Sequence, residues 1–507
     1  MKETRQALKS RQFVISFSML LLCAFAWTLI GTVTFADQIQ YSAVARQMLT
    51  GYFLVLAVPM LLIVPLFANR SLASELDDGT LELLSISTLT PRQIVLGKLA
   101  SAIMQMALYF VALSPCVAFA YTLRGISLPS IVIILLLLIV SGVTLTIFAL
   151  FLAPIGSGRF GQVLINLGLL SVLVAATGGV GSLVYGFLYE NATPPDQYWP
   201  QIIGLSLGIS FSICLFLLAA TESQLLPKSE NASTPVRWAL LWATAIVVGV
   251  VVFATGTENV EVIMVSFIIG LPILAGLWMV AGSMLCAESA ELTPRMRRRL
   301  PGNLVSRSLF SLVMTPGPAS GFVFVSLGAC MLGGLGLVCL EVIASQTLGR
   351  IGPGTAPGWV TEYTYLLPSY AIIALFFTRV LAMLLRWRQD FKPTLGLAIL
   401  AIVLLMMAVI PYGTSLQWNG YRDTIYTSWQ AFNWAWTLYE MGAPNFVLRF
   451  IPAVAVGVLV FHLMFLMGRD VSPQRVAKPQ RVLDEERSRA EIAFDDDGAG
   501  RIIDGLD

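Results

Sequence analysis

The sequence predicts an all-α, polytopic integral membrane protein with about twelve transmembrane helices and an amphipathic helix in the loop between spans 2 and 3. Three observations lead there. Of the 507 residues 57% are hydrophobic and only 12% charged, against a charged fraction of about 25% in soluble globular domains. The apolar residues are gathered into twelve runs long enough to cross a bilayer, each near the roughly 20 residues that a spanning helix needs. The basic residues also alternate from loop to loop, as the positive-inside rule requires of a multi-pass chain.

The twelve runs fall at 13–36, 50–68, 99–123, 129–155, 162–189, 200–220, 236–255, 262–285, 319–345, 363–385, 394–412 and 446–467. The first follows a basic stretch (Lys2, Arg5, Lys9, Arg11) and is longer than the apolar core of a signal peptide. It is therefore read as a retained span. The 162–189 run is long enough to hold a break at Gly178-Gly179. An even number of spans puts both termini on one side. That side carries 25 Lys and Arg, whereas the opposite side carries five: Arg46, Arg124, Arg350, Arg422 and Arg449. The basic side is expected to be cytoplasmic.

The most ordered polar interruption is residues 69–98, NRSLASELDDGTLELLSISTLTPRQIVLGK. Leu72, Leu76, Leu83 and Ile86 recur at helical spacing on a stretch that also carries Glu75, Asp77, Asp78 and Glu82, so its first part reads as an amphipathic helix on the membrane surface. Gly79 interrupts it. Thr90-Pro91 then starts a second helix, since proline suits a first turn and threonine caps the free N–H groups.

In type, spacing and position this block resembles the signature of ABC-2 type permeases, the membrane subunits of a class of ATP-binding-cassette transporters. The matching residues are Glu75, Gly79-Thr80, Leu81-Glu82-Leu83-Leu84 and Ile94-Val95-Leu96-Gly97-Lys98. It departs at Leu76, where the family usually has a basic residue, and at Thr88, where it has a proline; Pro91 remains. The resemblance covers about residues 50–125. It implies a cytoplasmic loop that docks on a separate ABC ATPase subunit, with Glu75, Gly79, Thr80, Glu82, Leu83, Leu84, Pro91 and Lys98 as docking and coupling residues. Glu75 and Glu82 would face basic or polar groups on the ATPase, and Lys98 would lie at the lipid headgroups. ATP and Mg would be bound by that partner and no cofactor by this chain. The location implied is the inner (plasma) membrane of a prokaryote, with both termini cytoplasmic.

Three regions follow: an ABC-2 type membrane domain over 1–225, a second six-span region over 226–468, and a charged cytoplasmic tail over 469–507. The second region is either accessory or a degenerate repeat. Its loop 286–318 falls on 69–98 when the halves are overlaid, ends in Met314-Thr315-Pro316 where the first ends in Leu89-Thr90-Pro91, and has exchanged the acidic helix for Arg295, Arg297, Arg298 and Arg299. The chain is expected to assemble as a homodimer or heterodimer.

Other chemistry is sparse. No GxxxxGK[ST] phosphate loop occurs, so no ATP hydrolysis is expected in this chain. A net charge of +2, divided between loops, suggests no nucleic acid partner. The six cysteines show no CxxC spacing and read as small apolar residues. Ionisable residues within spans are costly and hence candidates for function: Glu341 and Arg379 are candidates for a substrate path, Arg379 being placed to snorkel toward the cytoplasmic boundary. His462, the single histidine, suits a packing role. The long outer segment 413–445, rich in Trp and Tyr, is expected to lie at the outer interface. The resulting expectation is a permease subunit of an exporter, with a non-transporting scaffold as the alternative. A secondary carrier ranks lower, since paired intramembrane carboxylates are missing from the sequence.

Overall fold

A computed structural model describes residues 9–37, 44–78, 90–123, 125–156, 158–189, 199–226, 230–255, 260–289, 313–347, 358–386, 392–418, 420, 426–439, 445–466, 482 and 484–485. Among these there is no strand, and twelve helices are long and apolar enough to cross a membrane. The reason is general: in hydrocarbon, backbone N–H and C=O groups must be satisfied within the segment itself.

The first half comprises α1 (Arg11–Thr34), α2 (Ala45–Asp77), α3 (Pro91–Thr122), α4 (Leu128–Leu152), α5 (Gly158–Tyr189) and α6 (Trp199–Leu225). The second comprises α7 (Ser233–Thr255), α8 (Val260–Cys286), α9 (Pro318–Thr347), α10 (Gly358–Arg386), α11 (Leu395–Trp418), the short α12 (Trp434–Tyr439) and α13 (Asn445–Phe461). The Thr90-Pro91 helix start is present in full. Thr90 Oγ1 accepts from Gln93 N at 3.4 Å and Gln93 Oε1 accepts from Thr90 N at 3.0 Å, a reciprocal capping box ahead of a proline in the first turn. Ser10 caps α1 by accepting from Phe13 N at 3.2 Å.

Two expectations about helix limits are corrected. Residues 72–77 do not form a separate surface helix, because α2 continues to Asp77 through a π-helical turn at Val58–Ile63. Leu72 is completely buried in the same core as Val95 and Leu99 of α3. Its apolar face is covered by protein instead of membrane. Nor does α5 break at Gly178-Gly179, since it runs unbroken over Gly158–Tyr189. A mid-helix glycine costs about 1 kcal/mol, less than exposing unpaired peptide groups to lipid.

The halves share a core. Phe151 of α4, Phe216 of α6, Leu240 of α7 and Leu274 of α8 belong to one buried cluster that continues through α9, α10, α11 and α13. A second cluster fills the space between α1 and α5, around Tyr52, Met60, Tyr109 and Leu138.

At the outer end, the aromatic segment folds into the bundle. After α11 the chain forms a 3₁₀ turn at Ser428–Phe432 and then α12. Trp429 Nε1 donates to Thr414 Oγ1 at 2.7 Å, Gln430 Nε2 to Pro411 O at 3.2 Å, Tyr370 Oη to Ala431 O at 2.5 Å, and Trp434 Nε1 to Leu404 O at 2.9 Å. Leu404 lies fourteen residues before the end of α11, a helical depth of roughly 21 Å at 1.5 Å per residue. Gln430, Asn433 and Thr437 are buried and bond to one another: Asn433 Nδ2 reaches Gln430 Oε1 at 3.4 Å and Thr437 Oγ1 reaches Gln430 O at 3.0 Å. The segment thus seats Gln430, Ala431, Asn433 and Thr437 against the bundle, while Trp418, Trp429, Phe432 and Tyr439 stay exposed.

Candidate functional site

The tip of α2 is held from two sides, and its residue spacing explains how. Ser71 and Glu75, one turn apart, face α3. There Lys98 Nζ donates to Ser71 Oγ at 2.8 Å and forms an ion pair with Glu75 Oε1. The side chain of Lys98 is only 11% exposed and that of Glu75 29%. Lys98 therefore turns inward to α2 and not, as expected, to the headgroups. The Glu75 carboxylate on the neighbouring helix neutralises an ammonium that is largely withdrawn from water. Of the sequence-predicted docking residues the structure thus brings Glu75 and Lys98 together, with Pro91 at the start of the helix that carries Lys98. Gly79, Thr80, Glu82, Leu83 and Leu84 lie outside the described residues.

The opposite face of α2 meets α4 and α5. Asn69, buried, donates through Nδ2 to Ala149 O at 2.6 Å. Gln162 Nε2 of α5 donates to Asp77 Oδ2. Between these bonds lies a polar recess of about 180 Å³ whose walls include Arg70, Ser74, Asp77, Gln162 and Asn166. Displacement of the α2 tip would therefore be felt by α3, α4 and α5 together.

The corresponding end of the second half is tied by an arginine that sequence reasoning counted only as a topogenic charge. Arg237, in the first turns of α7, is fully buried. Its guanidinium donates to the carbonyls of Val313, Thr315 (2.6 Å) and Gly317 (3.5 Å) and to Ser320 Oγ (3.4 Å), and it lies 3.7 Å from Glu288 Oε2. Glu288 also accepts from Gly317 N at 2.9 Å. The carbonyls of Val313, Thr315 and Gly317 thus form the wall of a guanidinium nest. Glu288 lies just past the end of α8, whereas Glu75 lies within the last turn of α2. Each carboxylate binds toward the helix that follows, Glu75 through Lys98 within α3 and Glu288 through Gly317 N just before α9. The signal was present as a lone charge inside the apolar pattern Pro235-Val236-Arg237-Trp238-Ala239-Leu240.

Arg379 does not snorkel. It is 4% exposed, turned inward from α10, and sits within electrostatic reach of Cys286 and of His462 in the π-helical turn His462–Leu466 after α13. His462 is fully buried with its ring 4.5 Å from that of Phe322. Arg386 of α10 donates to Ala287 O, closing the same knot. Glu341 belongs to α9, but its side chain lies outside the description, as do the arginines 295–299 and all of the tail except residues 482, 484 and 485. Among the described residues no cluster of three or more His, Cys, Asp or Glu could hold a metal.

Comparison with protein-family models, with curated proteins and with solved structures gives no match.

Proposed function

We propose that this chain is the membrane-spanning permease subunit of an ABC-type exporter, working with a separate nucleotide-binding subunit that hydrolyses ATP. The reading is carried by the acidic tip of α2, latched to α3 by Glu75–Lys98 and followed directly by the Gly79–Leu84 motif. A force applied to residues 79–89 enters the bundle at α2 and α3 together, and reaches α5 through Asp77–Gln162. In this reading Glu82, beyond the latch, meets the ATPase. Glu75, engaged by Lys98, transmits. ATP-driven closure of the partner then biases the arrangement of the spans as a coupling free energy between two sites. The basic end faces the cytoplasm of a prokaryotic cell, and two such membrane subunits, identical or not, complete the transporter.

A charge series separates the two roles. Glu82→Lys is expected to release a co-purifying ATPase. Glu75→Lys and Lys98→Glu are each expected to keep the partner but to lower ATP-dependent transport by about tenfold, a coupling change of about 1.4 kcal/mol. The double exchange Glu75→Lys with Lys98→Glu is expected to restore most of it. Purification from native membranes without any ATPase, or with one that all three variants hold and use equally, would sink the permease reading in favour of a membrane scaffold.

A further inference from the structure

The π-helical turn of α2, Val58–Ile63, lies at the middle of that helix, with 13 residues before it and 14 after. It starts and ends where Pro59 and Pro65 interrupt the α pattern. In an α-helix each ring clashes with the carbonyl four residues earlier, that of Val55 or Leu61, and withholds a donor from it. In the π pattern the N–H bonds five residues back. Val64 N accordingly donates to Pro59 O, and Pro65 has no N–H to give to Met60 O. Pro65 therefore leaves one carbonyl bare in either pattern, Leu61 O in the α form and Met60 O in the π form. Met60 is completely buried, so water does not compensate. Against the same carbonyl α4 comes close, since a Cβ on Gly142 would lie 3.3 Å from Met60 O. Backbone bonding at Pro65 thus does not choose between the two patterns.

The contacts of the tip choose. A π turn holds one residue more than the α turn it replaces. Its return to the α form would advance residues 64–77 by one place, about 100° around the axis. Each place on the tip would then be filled by the preceding residue. Ser71 would take the completely buried place of Leu72, and Leu76 the place of Asp77 beside Gln162. Arg70 and Ser74 would take the places of Ser71 and Glu75 around Lys98. Both bonds of the latch would be lost, and Lys98 would face a like charge.

We propose that α2 is a two-position register switch: the latch to Lys98 holds the π turn, and release of the latch lets residues 64–77 turn by one place into the α form. The device requires no ATPase, so it can fail while the permease reading stands.

The sign of one charge tests it. Lys98→Glu would repel Glu75 in the π register but attract Arg70 in the α register, so it is expected to drive the change. Ser71→Cys and Leu76→Cys report the register in the full-length protein purified in detergent, with maleimide labelling followed peptide by peptide by mass spectrometry. With Lys98→Glu the labelling rate at position 71 is expected to fall about tenfold, as that side chain enters the buried place of Leu72. The rate at position 76 is expected to rise by about tenfold, as that side chain reaches the exposed place of Asp77. Glu75→Gln, which only loosens the latch, should give the same opposed changes on a smaller scale. Deletion of Met60 removes the extra residue, so in that chain Lys98→Glu should no longer lower the rate at position 71. Rates that rise together, as local loosening would make them, or that stay unchanged would overturn the switch. So would a fall at position 71 that persists when Met60 is deleted.

Discussion

Arg237→Met is expected to cost about 3–5 kcal/mol of stability, the range for removing one member of a buried, hydrogen-bonded ion pair. The methionine fills much of the same volume, so the loss isolates the polar contacts. Without the guanidinium, the carbonyls of Val313, Thr315 and Gly317 lose a common donor at the entrance to α9, and Glu288 keeps only its bond from Gly317 N. Its carboxylate, 15% exposed, then remains largely buried without a counter-charge. Thermal unfolding of the detergent-solubilised protein measures the effect. Coupling provides the stricter test: Glu288→Gln should cost distinctly less in the Arg237→Met background than in the wild type, because the pair acts as a unit. Additive losses, or a loss below about 1 kcal/mol for Arg237→Met, would show that the buried arginine is not what holds α7 to α9.

Much of the fold is legible in the apolar runs, because a bilayer leaves a chain few choices: twelve runs become twelve membrane-length helices. The cap at Thr90-Pro91-Arg92-Gln93 is equally legible, since a capping box is local chemistry. The errors share one cause. Periodicity tells which face of a helix is apolar but not what covers it. Leu72 and Leu76 had the spacing of a surface helix, yet their cover is the core that includes Val95 and Leu99. The Trp and Tyr of 426–439 had the composition of an interfacial belt, and Trp429 and Tyr439 are indeed exposed, but composition did not show that Gln430 and Ala431 between them are buried and bonded to Pro411 and Tyr370. The candidate site is split in the same way. The acidic stretch was visible, whereas the pairing of Glu75 with Lys98 and of Asp77 with Gln162 depends on how α2, α3 and α5 converge. Arg237 was missed because a basic residue near a helix end usually serves topology, and only its neighbours across the bundle reveal a nest.

Gly396→Ala and Gly413→Ala, the same change in the same helix, are expected to shift stability in opposite directions. A Cβ on Gly396 would stand 2.1 Å from Ser283 O and 2.7 Å from Ala287 Cβ, so α11 would have to withdraw from the last turn of α8. Backbone cannot give way as a side chain can, and the cost is expected to be about 3 kcal/mol, the upper part of the overpacking range. A Cβ on Gly413 meets nothing within 4 Å. There the helix preference of alanine should add about 0.5–1 kcal/mol. Thermal unfolding of the two variants side by side settles the matter, and a similar shift for both would remove the close approach of α8 and α11. The location gives the result functional weight. Ala287 accepts from Arg386, its neighbour Glu288 pairs with Arg237, and Gly396 presses on the same turn. Three helices, α7, α10 and α11, therefore converge on the end of α8, while the tip of α2 is held by polar contacts that are partly open to solvent. In the permease reading, the second half is the fixed wall against which the latch of the first half moves.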